Sequence, residues 1–156
     1  MRILGIDPGF EKLGVAVLER AGGKDTLLYS ECFRTSARLP FPERLNALGT
    51  RASTIIKKWK PRALAIETLY FEKNLKTAMR VAEARGVVIY EAARAGLSVY
   101  EYTPLQVKIA VTGWGRADKK SVMNMVSKLI QLKNKKYSDD ELDAVAIGLT
   151  HLASAR

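Results

Sequence analysis

Cysteine and histidine are nearly missing from this chain: Cys32 and His151 are the sole examples of each among 156 residues. A single cysteine excludes an internal disulfide and any Cys-based zinc cluster, and it fits a reducing, cytoplasmic setting. Acidic residues are also scarce, 16 against 26 Lys plus Arg, which leaves a net charge of +10. Such a field draws anions, and a polyanion such as DNA is the commonest reason for it, with simple solubility as the plainer alternative. No apolar run is long enough to cross a bilayer, and the amino terminus lacks the basic-then-apolar layout of a signal peptide, so no membrane or export role is expected. Repeats, low-complexity tracts and interdomain linkers are absent too. With 47% hydrophobic residues, the expectation is one domain over residues 1–156 with a proper core.

What is present is a run of strand patterns followed by helices alternating with strands. Residues 2–7, 14–19 and 27–34 read as strands separated by turn-forming clusters, which predicts an antiparallel meander. Helical spacing of Leu45, Leu48, Ala52, Ile55, Ile56 and Trp59 predicts a helix over 43–60, stopped by Pro61 before a strand at 63–67. A second helix over 75–95 ends at Gly96 and leads to a fifth strand at 98–102; helices follow over 104–111, 119–130 and 139–155. The predicted class is α/β, a five-stranded mixed sheet of three antiparallel and then two parallel strands, flanked by helices.

The few acids fall in telling places. Alternation puts Ile3, Gly5 and Asp7 on one face of the first strand, so Asp7 leaves the sheet at its carboxyl end, where Pro8-Gly9 turns the chain. Glu67 repeats the arrangement after Ala63 and Ala65, and in a crossover fold strands one and four can lie side by side. Ser138 with Glu141 fits a capping box at the start of the last helix, where Asp140 and Asp143 share a face and Leu142, Val145, Ala146 and Leu149 form the apolar side. Each acid also has a plain reading: Asp7 opens an Asp-Pro-Gly turn, Glu67 emerges into solvent, and first-turn acids are favoured by the helix dipole, an account that suits Asp139 and Asp140 better than Asp143. Acids at the ends of buried strands are costly to desolvate, and their recurrence points to a bound cation. On a basic chain, that predicts a metal-dependent nuclease.

Asp7-Pro8-Gly9, Ala65-Ile66-Glu67 with Tyr70-Phe71, and Asp140-Glu141-Leu142-Asp143-Ala144 together resemble the RuvC family of Holliday-junction resolvases. Gly5-Ile6, Glu83-Ala84-Arg85-Gly86, Gln106-Val107-Lys108, and Ala146-Ile147 with Thr150-His151 extend the resemblance over almost the whole chain. It implies a ribonuclease H-like fold and a homodimer. It further implies Mg²⁺- or Mn²⁺-dependent nicking of four-way DNA junctions in recombination and repair, and work beside a branch-migration helicase. By position, Asp7, Glu67, Asp140 and Asp143 match the family's metal ligands for a pair of ions, and Lys108 and Lys119 match basic residues near the scissile phosphate.

Other residues carry two readings each. Tyr70 and Phe71 could stack on bases at an opened crossover or pack in the core, with Tyr70 the better match to the family's stacking aromatic. Lys73, Lys76 and Arg80 continue that segment as a phosphate-tracking surface. Lys133, Lys135 and Lys136 read as a solvated loop, and His151 as structural rather than a ligand. Ala78, Val81, Ala82, Val88 and Ala92 serve either the core or a dimer interface. Two competing functions are a nucleotide-dependent phosphotransferase of the actin-like class, for which 156 residues leave little room, and a non-catalytic junction-binding protein. Retained carboxylates weigh against the latter, because they would weaken DNA binding.

Overall fold

In the computed structural model, which describes residues 1–69, 74–133 and 135–155, alternation in the first strand splits the interior in two. Strand β1 (Arg2–Asp7) pairs antiparallel with β2 (Lys12–Ala21), which pairs antiparallel with β3 (Lys24–Arg34). After helix α1 (Phe41–Trp59), strand β4 (Ala63–Glu67) lies parallel to β1; after α2 (Leu75–Arg94), β5 (Ser98–Tyr102) lies parallel to β4. Helices α3 (Pro104–Thr112), α4 (Lys119–Leu129) and α5 (Asp139–Ser154) complete the chain. The sheet order is β3-β2-β1-β4-β5, as the mixed-sheet expectation requires.

One face of the sheet presents Leu4, Ile6, Leu13, Val15, Val17, Leu64 and Ile66 to α1 and α2. The other presents Ile3, Ala16, Leu18, Ala63 and Ala65 to α3, α4 and α5. Each layer buries its apolar stripe, giving helices on both sides of a sheet. On α2 the buried residues are Ala84, Val88 and Ala92, so Val88 and Ala92 belong to the core, while Leu75, Met79 and Tyr90 face outward.

Three local differences from the sequence reading have physical causes. Strands β2 and β3 run on to the Ala21 and Lys24 pair, because Gly22 (φ 57°) and Gly23 (φ 76°) form a tight turn that side chains would resist. Helix α1 begins at Phe41, with a proline in its first turn where a missing N–H costs nothing. Helix α5 is buried from Ala144 through Leu152 on all sides rather than along one stripe. Gly5 and Gly14 make this possible. A Cβ on Gly5 would collide with the Ala144 carbonyl oxygen, and one on Gly14 with that of Asp140. The helix backbone therefore rests directly on β1 and β2.

Candidate active site

Asp7 and Glu67 end adjacent parallel strands whose register pairs Ile6 with Ile66, so both carboxylates leave the sheet at the same edge. Asp7 is also the register partner of Gly14, the residue on which the Asp140 carbonyl rests. That contact sets the first turn of α5 over the Asp7 strand end. The capping box fixes the helix start: Ser138 Oγ accepts from the Glu141 amide at 3.2 Å, and Glu141 Oε2 accepts from the Ser138 amide at 3.0 Å. Asp140 and Asp143 thus reach the edge held by Asp7 and Glu67.

Electrostatics record the convergence. Burial and then the charges of Asp143, Glu67 and Asp140 push the Asp7 carboxyl up to about 7, against the opposing pull of Lys119. Burial first, and Asp143 second, also raise Glu67; burial raises Asp143, which the Lys119 ammonium offsets. Lys119 Nζ lies 3.1 Å from Asp143 Oδ2 and 3.3 Å from Asp139 Oδ2. Asp139, a first-turn acid that the helix dipole favours, is also an exposed second partner for that lysine. Among the described residues, no three acidic, histidine or cysteine side chains are spaced to share one ion as they stand. The donor set nevertheless suits a hard divalent cation: carboxylate oxygens, crowded enough that one holds its proton near neutrality, gain most from an oxygen-seeking ion.

Lys108 and Lys119 line a cavity of about 210 Å³ together with Glu67 and Asp143, which brings both predicted lysines to the acidic edge. Lys76 is exposed on α2. Arg80 is half-buried and stacks on aromatic rings. Tyr70, Phe71 and Lys73 lie outside the described residues. His151 is buried and meets the Tyr102 hydroxyl through Nδ1 at 2.8 Å, consistent with a structural place. Lys135 differs from its solvated-loop reading: Nζ pairs with the buried Glu141 at 2.6 Å and sits 4.5 Å from the Tyr137 ring centroid. Sequence reasoning also passed over Cys32, whose Sγ lies 3.6 Å from Asp140 Oδ2. Pairing of β3 with β2 sets Cys32 beside Gly14, and the packing of α5 on Gly14 brings Asp140 there, so no local motif announces the contact.

The raised Asp7 carboxyl sets a pH dependence. Between its unperturbed value of 3.8 and about 7 the folded protein holds a proton that the unfolded chain has released, so this group's contribution to stability falls as pH rises through that window. Without divalent ions, the melting temperature of the wild type relative to Asp7→Asn should drop between pH 5 and pH 8. Saturating Mg²⁺ should abolish the drop, since ligand binding needs the ionised carboxylate. Thermal melts of both proteins in EDTA and in Mg²⁺ measure this directly.

A five-stranded mixed sheet that gathers carboxylates and lysines at the ends of β1 and β4, beneath the start of α5, is the architecture of the ribonuclease H-like nucleases. The chain belongs to the RuvC family: the family model described as crossover junction endodeoxyribonuclease RuvC matches residues 3–151. The RuvC of Desulfitobacterium hafniense (strain DSM 10664 / DCB-2) is 46% identical over 154 residues, covering 99% of this chain and 93% of that protein. The RuvC of Brevibacillus brevis is 42% identical, covering 97% and 91%. Among solved structures, T. thermophilus RuvC in complex with a Holliday junction substrate superposes with a TM-score of 0.94 at 38% identity, covering 100% of this chain and 95% of that one. The fowlpox virus resolvase, at 14% identity and a TM-score of 0.61, shares the fold.

Proposed function

We propose that this chain is a structure-selective endonuclease that resolves four-way (Holliday) DNA junctions by paired, symmetric nicks in homologous recombination and DNA repair. Family membership supports the activity. The observation that carries the site is the meeting of the Asp7 and Glu67 strand ends, on adjacent parallel strands, with the first turn of α5, whose Asp140 carbonyl lies against Gly14. Asp7, Glu67, Asp140 and Asp143 would hold the metal, Asp7 and Glu67 from the strand ends and Asp140 and Asp143 from the first turns of α5. When bound, two Mg²⁺ or Mn²⁺ ions supply Lewis-acid stabilisation for phosphodiester hydrolysis that leaves 5′-phosphate and 3′-hydroxyl ends. Lys119 balances charge beside Asp143, and Lys108 faces the same cavity, where an ammonium meets the phosphate being cut.

The nuclease unit spans residues 1–156 and works in the cytoplasm as a homodimer, since a two-fold pair of sites matches the symmetry of a junction cut in two like strands. Met79 and Tyr90, 63% and 62% exposed on one stripe of α2, supply the dimer face. Tyr70 and Phe71 stack on bases at the crossover, Lys73 and Lys76 hold the flanking backbone, and a branch-migration helicase delivers the junction. The test compares a four-way junction, a linear duplex and an RNA–DNA hybrid, each with Mg²⁺ and with EDTA. Paired nicks only in the junction, and only with metal, are expected; equal cutting of the linear duplex, or nicking in EDTA, overturns the proposal.

A further inference from the structure

Three residues past Asp7, in the turn joining β1 to β2, Phe10 is held at both its carbonyl and its ring. The carbonyl accepts from Thr35 Oγ1 at 2.6 Å and from Arg44 Nη2 at 3.5 Å, and Arg44 Nε donates to Thr35 Oγ1 at 2.9 Å. The ring meets Phe41 edge-on at 5.9 Å between centroids. Two guanidinium groups lie over it, Arg44 at 5.0 Å and Arg80 at 5.9 Å, and Arg80 also lies 4.8 Å from the Phe41 centroid. Arg44 is buried near the start of α1 and belongs to the frame. Arg80 comes from α2, whose Leu75, Lys76, Thr77 and Met79 are exposed. Its contact with Phe10 therefore links an early turn of that helix to the Asp7 turn, beside a groove that Thr77 and Val81 line with Gly9, Phe10, Glu11 and Lys12.

We infer that Arg80 is a positioning residue: by stacking on Phe10 and Phe41 it fixes the β1–β2 turn and, through it, the direction of the Asp7 carboxylate. This rests on the reading of Asp7 as a metal ligand. The Arg80 guanidinium carbon lies within cation–π distance of both ring centroids, a contact that ties the charge to the protein's own aromatic pair and that a lysine reproduces poorly. A shift of about 1 Å in a catalytic group can cost on the order of a hundredfold in rate, so partial loosening of the turn is expected to cost about tenfold.

The experiment uses the full chain with Arg80→Lys, Arg80→Met, Phe10→Leu and the Phe10→Leu/Arg80→Met pair. Both Arg80 variants should keep the wild-type melting temperature within a few degrees and the wild-type salt dependence of junction binding, while single-turnover cleavage at saturating junction falls about tenfold. Amide hydrogen exchange at residues 9–12 should quicken in both without metal or DNA, and the double variant should be no slower than Arg80→Met alone, because the two residues act through one contact. A phosphate contact predicts the opposite pattern: Arg80→Met flattens the salt slope by about 0.9, and Arg80→Lys restores both binding and cleavage. That pattern, or unchanged exchange at residues 9–12, overturns the inference. Cleavage retained by Asp7→Asn would remove the metal-ligand reading instead, while the exchange data would still judge the Phe10–Arg80 contact.

Discussion

Asp7→Asn is expected to bind a four-way junction with the wild-type Kd, to lose about a thousandfold in nicking rate at saturating Mg²⁺, and to melt at a higher temperature than the wild type at pH 8 without metal. The three effects share one cause. Asp7 is crowded by Glu67, Asp140 and Asp143, and burial adds to the cost of its charge. Asparagine keeps the shape, removes that charge and relieves the repulsion, so the metal-free fold gains. On the proposed reading, the same change also removes a metal ligand from the end of β1. A thousandfold is about 4 kcal/mol at the transition state, in line with loss of a stabilising group aimed at developing charge. Binding persists because the basic surface, not the acid, attracts DNA. Single-turnover cleavage, a binding titration and a melt in EDTA read the three effects separately. Wild-type nicking by this variant would move the active site elsewhere.

The strand ends were legible because strand alternation is strict: Ile3, Gly5 and Asp7 face α5 as the period of two requires, and the same holds for Ala63, Ala65 and Glu67. Capping chemistry placed the start of α5 with equal clarity, since Ser138 and Glu141 answer each other across a fixed spacing. Three-dimensional proximity was harder to read. Nothing local to Gly5 or Gly14 says that a helix backbone lies on a sheet backbone, because a glycine in a strand is equally a bulge or a weak point. Lys135 reads in sequence as a solvated charge, and only the fold brings it to Glu141. Arg80 carried the same ambiguity. Its charge suggested phosphate, and only the arrival of Phe10 and Phe41 from distant segments gave the guanidinium a stacking partner. Pairings inside one element follow from spacing; pairings between elements follow from topology.

Gly14→Ala turns that topological point into the second large effect. The added Cβ would meet the Asp140 carbonyl oxygen and carbon on one side and the Asp7 Cβ on the other. The first pair are backbone atoms, which cannot rotate aside as a side-chain end can, so the start of α5 must lift from β2. Overpacking of this kind costs roughly 1–3 kcal/mol, or a melting temperature lower by about 2–12 °C for a chain of this size. The larger consequence falls on the site. Asp140 and Asp143 ride on the turn that lifts, whereas Asp7 and Glu67 stay on the sheet, so the carboxylates separate while each remains chemically intact. Nicking at low Mg²⁺ should fall about a hundredfold and recover in part at high Mg²⁺, because ions can draw the acids back together. Asp7→Asn should show no such recovery, its ligand charge being gone. Metal titrations of nicking by the two variants therefore separate a displaced ligand set from a missing ligand. Full activity of Gly14→Ala at low Mg²⁺ would mean that close contact between α5 and β2 does not set the geometry of the site.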